Sequence, residues 1–149
     1  MTGDRFASAE AVIRAARETI GTPWVHQGRL IGQALDCVGV AIHVCRQLDL
    51  PYVDLVGYGR SPAFGLLEAT MACQPSLSAI EWIDDRRPGD LLLMRFGRCP
   101  QHLAILTDAD TIVHSWEEVG QACEHRLSPV WQRRIVAVYR FLALQAPSA

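Results

Sequence analysis

Asp36 and Cys37 open a run in which Val38, Val40, Ala41, Val44, Cys45 and Leu48 recur at helical spacing, which predicts a buried helix capped by Asp36. A thiol in the first turn of a helix can act as a nucleophile. Only the thiolate attacks well, an ordinary thiol is mostly protonated at neutral pH, and the positive end of a helix favours the ionised sulfur. The backbone N–H groups of that turn have no partner within the helix and can receive an oxyanion, an effect worth roughly 3 kcal/mol per donor.

A thiol nucleophile also needs a base, which comes from elsewhere in the chain. The histidines are at 26, 43, 102, 114 and 125. His43 falls in the middle of the predicted helix, away from its start, and reads as structural or exposed. His102 opens one strand-like segment, and His114 lies near the end of the next. If the intervening turn is symmetrical near Ala109, residue 114 stands opposite about residue 104, and His102 and His114 become diagonal neighbours on one face. Such positions are about 7–8 Å apart at Cα, a gap that imidazole rings bridge. One ring could then take the thiol proton while the other fixes its tautomer. A single strand histidine is ordinarily structural; the pair on one face is what points to chemistry.

The elements that must hold these groups are legible in order. Residues 8–20 read as a first helix, with Ser8 as cap and Gly21 as stop. A loop containing Gly28 and Gly32 leads to the helix from Cys37. Residues 49–60 are loop-like, and Ser61-Pro62 starts a third helix running to about Cys73. Strand-like segments follow at 91–96, 102–107, 111–115, 122–127 and 135–141, with Asp108-Ala109-Asp110 as a hairpin turn. Helices first and strands afterwards is the α+β order, and residues 1–149 are expected to form one domain.

Composition narrows the function. The chain is half hydrophobic and one-fifth charged with a net charge of −2, so neither disorder nor a nucleic-acid partner is indicated. Arg86-Arg87 and Arg133-Arg134 read as solvated turns. The start lacks the apolar core of an export signal, and no apolar run is long enough to cross a bilayer, so synthesis in the cytosol and no membrane partner are expected. Five cysteines without paired spacing point to reduced thiols, of which Cys45, Cys73, Cys99 and Cys123 need no function beyond packing. Cys99-Pro100-Gln101-His102 and Cys123-Glu124-His125 hold metal-ligand types, but no second pair of two-residue spacing accompanies them. No closed zinc site, no metal and no cofactor are expected. Trp82 and Trp131 read as packing, whereas Trp24 and Trp116 neighbour the candidate site. Arg29 is either a contact for a substrate carboxylate or a solvated loop residue.

Gly21-Thr22-Pro23-Trp24, His26-Gln27-Gly28-Arg29 and Asp36-Cys37-Val38-Gly39 closely resemble the nucleophile region of the NlpC family of cell-wall peptidases. Arg87-Pro88-Gly89-Asp90-Leu91-Leu92, Gln101-His102-Leu103-Ala104-Ile105 and Ile112-Val113-His114-Ser115 resemble its histidine strands. Residues 129–141 are similar to its phage-tail and gene-transfer-agent branch. The likeness spans roughly residues 10–141. It implies a papain-like fold with the nucleophile helix packed on an antiparallel sheet of about five strands, and cysteine peptidase activity on peptidoglycan stem peptides, commonly between D-glutamate and a diamino acid. By the same resemblance Cys37 is the nucleophile, His102 the base and His114 the third polar residue. Trp24, His26, Gln27 and Asp36 fall in the substrate or oxyanion region.

The implied partners are the hub and baseplate proteins of a phage-like tail, which would carry the protein to the wall from outside. Two positions depart from the family pattern: Trp24 stands where many members have Tyr, and Val38 where many have Ser. The competing reading is a tail-tip structural or wall-binding protein that keeps the fold without turnover; a thiol-dependent amidase or acyl transferase is a third.

Overall fold

The computed structural model describes residues 5–54 and 66–144. Helix α1 spans Ala9–Arg17, the short hairpin strands β1 and β2 are Arg29–Leu30 and Ala34–Leu35, and α2 is Cys37–Gln47. Helix α3 is Leu66–Ala72, followed by β3 at Leu77–Ile80 and a 3-10 turn at Ile83–Asp85. Strands β4 (Leu91–Phe96), β5 (Cys99–Asp108), β6 (Thr111–Trp116) and β7 (Gln121–Arg126) form a meander. A short helix α4, Pro129–Gln132, leads to β8, Ile135–Phe141. Among the described residues the main sheet is antiparallel with six strands in the order β3-β8-β4-β5-β6-β7.

Period-two alternation makes the sheet two-sided. Leu91, Leu93, Leu103, Ile105 and Val113 join Val12, Ala15, Ala16 and most of α2 in one buried cluster. Leu92, Met94, Ala104, Leu106, Ile112 and Val138 form a second cluster on the opposite face, with Trp131 of α4 packed against it. Each Leu or Ile fully removed from water stabilises the fold by roughly 1.5–3 kcal/mol, so both layers bind the helices and α4 to the sheet. Helix α2 is buried from Val38 through Cys45, which explains a sequence apolar on more than one side. Asp90, immediately before β4, is almost wholly buried and is held by the Arg140 guanidinium of β8 through contacts of 2.8 and 3.0 Å.

Several expectations need adjustment. The first helix ends at Arg17, because the N–H groups of Thr19 and Ile20 turn back to Ala16 and Arg17 in i→i+3 bonds. The sheet gains one strand over the five expected: Leu77–Ile80, a four-residue edge strand whose pattern was too short to read. The start expected for the third helix lies outside the described residues; its described part ends at Ala72. Strand β5 begins at Cys99, ahead of His102. Arg134 does not simply face solvent, since its guanidinium lies 4.4 Å from the Phe96 ring centroid and 4.6 Å from that of Trp131. Arg87 lies 5.5 Å from the Phe6 ring centroid. Cys73 is exposed rather than packed, while Cys45 is buried. No described helix is long and apolar enough to cross a membrane.

Candidate active site

Asp36 sets the start of α2. Its Oδ1 accepts from the Gly39 N–H at 2.9 Å and from Arg29 at 2.8 Å, and its Oδ2 accepts from the Gln27 N–H at 2.9 Å. The carboxylate is therefore a buried cap that ties the preceding loop to the helix, and is spent on the chain's own donors. Arg29 also bonds Asp54 at 3.1 Å, so it braces this loop and is not a solvated loop arginine. The glycines of the motif supply room: a Cβ on Gly39 would strike the Gly28 carbonyl oxygen, and one on Gly28 would meet Ala34 backbone atoms within 2.7 Å. That close approach seats the β1–β2 hairpin against the first turn of α2.

Cys37 occupies that first turn, where the backbone N–H groups of Leu103 and Val38 favour its ionised sulfur. Leu103 is the residue after His102. The contact is possible because the β5–β6 ladder stops early. Its last pair at this end is Ile105↔Val113, and continuing it would set Leu103 opposite Ser115. Instead the Ser115 hydroxyl donates to the Leu35 carbonyl at 2.7 Å, and the Leu103 N–H is left to favour the Cys37 thiolate. The start of α2 thus takes the place of strand pairing where β5 and β6 part. On the other side of β5 the register steps from Met94↔His102 to Arg95↔Pro100, leaving Gln101 as a bulge residue immediately before His102.

His102 and His114 meet as the diagonal argument requires, with Nε2 of His102 2.6 Å from Nδ1 of His114. A third ring, not singled out by sequence reasoning except as a disfavoured metal ligand, extends the chain. His114 Nε2 lies 2.7 Å from His125 Nε2, and His125 Nδ1 lies 2.8 Å from the Arg126 carbonyl oxygen. Strand parity was the signal that could have found it. Cys123 of β7 pairs with His114, and His125 follows two residues later on the same face. Phe96, Trp116 and Trp131 enclose the rings, with Trp131 edge-on to both His114 and His125 at centroid distances of 5.2 and 4.9 Å. Trp131 is therefore part of the site's wall as well as packing.

These contacts assign every proton when the three rings are neutral. A carbonyl oxygen only accepts, so His125 carries its hydrogen on Nδ1 and leaves Nε2 as an acceptor. His114 must then donate from Nε2 and accept at Nδ1, and His102 must donate from Nε2. The consequence is a lone pair on His102 Nδ1. Burial, reinforced by the charge of Arg134, lowers the His102 pKa to about 3, and burial lowers His114 to about 2, so both rings rest uncharged at neutral pH. Burial, together with the Asp36 carboxylate, raises the Cys37 thiol to about 12, against the pull of the Leu103 and Val38 N–H groups and Arg29. The resting site holds a neutral thiol and a neutral imidazole; Cys37 itself is half-buried.

The other candidates sit on the loop that leads to the cap. Trp24 is half-buried, forms a parallel bridge with Leu35 and donates its backbone N–H to Gly120. His26 is half-buried and Gln27 exposed, the latter at a positive φ of 61° beside the Asp36 carboxylate. His43 is buried and bonds Glu18 at 3.3 Å, as a structural residue would. Arg29, Asp36 and His43 thus serve the frame, while Cys37 stands at the start of α2 and His102, His114 and His125 form the chain of rings.

The helix-and-sheet arrangement that carries these residues superposes on solved structures. The chain has the NlpC/P60 fold. An NlpC/P60 family protein from Bacillus cereus superposes with a TM-score of 0.68 at 16% identity, over 92% of this chain and 41% of that one. The NlpC/p60 domain of the peptidoglycan hydrolase SagA matches with a TM-score of 0.56 at 18% identity, over 89% of this chain and 97% of the domain. A Staphylococcus aureus protein of the NLP/P60 family gives 0.66 at 16% identity, over 97% of this chain and 46% of its own length. This chain thus spans less than half of the two longer neighbours and nearly the whole of the SagA domain. No protein-family model matches the sequence, nor does any curated protein. The NlpC/P60 fold accounts for the α+β order and for α2 lying on the sheet.

Proposed function

We propose that the protein is a cysteine peptidase that hydrolyses stem-peptide bonds of peptidoglycan. The reading is supported most by the 2.6 Å bond between His102 and His114, which leaves a bare Nδ1 on the residue adjoining the thiol's own backbone partner. In the reaction His102 Nδ1 takes the Cys37 proton as sulfur attacks the scissile carbonyl. The Gly39 N–H is occupied by the cap and the Val38 N–H favours the sulfur, so the Cys37 N–H is the donor the helix start offers to the oxyanion. Collapse of the tetrahedral adduct passes the proton from His102 to the leaving amine. Water, deprotonated by the same ring, then releases the acid and restores the thiol.

The likeness to the SagA peptidoglycan hydrolase domain supports the substrate class. The bond between D-glutamate and a diamino acid, assembly with hub and baseplate proteins of a phage-like tail, and delivery to the wall from outside rest on the resemblance of the motifs and of residues 129–141. Because the resting thiol is neutral, turnover depends on the base, and a retained fold without turnover is the second reading. The test is digestion of purified sacculi with wild-type protein and with Cys37→Ala, followed by mass analysis of soluble fragments. Peptide fragments from wild type alone are expected. Equal release by both proteins would refute the thiol mechanism, and sacculus binding without release would favour the second reading.

A further inference from the structure

His114, Cys123 and His125 bring one imidazole nitrogen, one sulfur and a second imidazole nitrogen to within 4.8 Å of one another. The sequence alone disfavours a closed zinc site here, since no second pair of two-residue spacing is present. The missing partner is supplied across the sheet: Cys123 is the register partner of His114, and His125 lies on the same face of β7. Cys123 and His125 are both half-buried on an edge strand, so an ion has a route in, while Trp131 and Trp116 give the cluster an apolar wall.

We infer that His114 Nε2, His125 Nε2 and the Cys123 thiolate form a binding site for a zinc-type divalent cation, and that the bound ion switches off the thiol chemistry by reversing the histidine chain. The inference rests on the reading of His102 as the base. Two imidazoles and a thiolate suit Zn²⁺, with water as fourth ligand. Zn–N bonds of about 2.0–2.1 Å in a tetrahedron set the two nitrogens about 3.3 Å apart. The present 2.7 Å must therefore open slightly, and the sulfur must swing inward.

His125 already has the required tautomer, because its Nδ1–H is engaged by the Arg126 carbonyl. His114 does not. With the ion on Nε2, its remaining hydrogen sits on Nδ1, which becomes a donor toward His102 Nε2. His102 must then accept at Nε2 and carry its own hydrogen on Nδ1, where the lone pair for the thiol had been. All three rings end neutral, and His114 and His102 have each moved a hydrogen from Nε2 to Nδ1 by exchange along the chain and with solvent. The net loss is the single proton of Cys123. The metal thus acts on the base from two rings away, without touching Cys37.

The test uses the intact protein at neutral pH, with Zn²⁺ as ligand and Co²⁺ as a coloured substitute. Iodoacetamide labelling is followed thiol by thiol by mass spectrometry, with the exposed Cys73 as internal reference. One equivalent of Zn²⁺ should protect Cys123 and slow labelling of Cys37 by at least about 100-fold relative to Cys73, as loss of a general base predicts. Co²⁺ should give a thiolate-to-metal absorption band that disappears in Cys123→Ser and weakens in His125→Gln. In both variants the ratio of Cys37 labelling with and without Zn²⁺ should return to about one. Absence of both the band and Cys123 protection would overturn the site. Protection of Cys123 with unchanged Cys37 labelling would overturn the reversal. A Cys37 that is inert even without metal would refute His102 as base, while the band and Cys123 protection would still decide the site.

Discussion

Mild acid should destabilise this protein, and the buried histidine pair sets the size of the effect. His102 and His114 have 6% and 0% of their surface exposed, and burial holds the His102 pKa near 3 against an ordinary 6.5. Below about pH 6.5 the unfolded chain therefore binds protons that the native rings refuse, and stability must fall as pH falls, down to the native pKa. At about pH 5.5 an unfolded histidine is protonated roughly tenfold over neutral, so each ring costs about 1.4 kcal/mol relative to pH 7.5, and the two together about 2.7 kcal/mol. Carboxylates with ordinary values near 4 stay ionised in both states over this window and contribute little. Urea unfolding followed by tryptophan fluorescence at the two pH values measures the difference. The variant His102→Asn removes one titrating ring and should cut the pH-dependent loss by about half, whatever its own absolute stability. Equal wild-type stability at both pH values, or an unchanged loss in the variant, would show that the rings are not held neutral by burial.

Further expectations follow from the frame of the site. Asp36→Ala removes the cap of α2 and leaves Arg29 short of its carboxylate partner. It should cost about 2–4 kcal/mol by chemical denaturation, more than the ~1 kcal/mol of an exposed cap. Gly39→Ala drives a methyl into the Gly28 carbonyl and should destabilise by roughly 1–3 kcal/mol, seen as a lower Tm, whereas Ala41→Gly should cost only about 1 kcal/mol through backbone freedom. Arg140→Met strands the buried Asp90 carboxylate and should cost about 3–5 kcal/mol; Arg140→Met with Asp90→Asn should recover part of it in a double-mutant cycle. His125→Phe takes the acceptor from His114, and long-range proton–nitrogen spectra should then show His102 no longer in a single tautomer with a bare Nδ1; an unaltered His102 pattern would mean the third ring does not set the second.

The gaps in the sequence reading have physical causes. Leu77–Ile80 escaped notice because four residues at a sheet edge carry almost no periodic signal and are strand only through β8. The hairpin Arg29–Leu30 with Ala34–Leu35 owes its form to the cap it leans on and to the small contact surface of Gly28. Arg134 looked like a solvated turn because the Phe96 ring on its other side comes from a strand distant in sequence, and Trp131, three residues before it, turns toward it only in the folded α4–β8 corner.

Local order was enough to place a cysteine at a capped helix start and two histidines on one face of a hairpin, because caps, apolar periods and strand parity act between near neighbours along the chain. Only tertiary structure could part β5 from β6, fit the start of α2 into that opening and bring β7 alongside His114. Those steps depend on ladders ending and on side chains from distant segments competing for the same backbone partners. The tautomer of His102 follows from them: it depends on the Arg126 carbonyl, three rings away through contacts that exist only in the folded sheet.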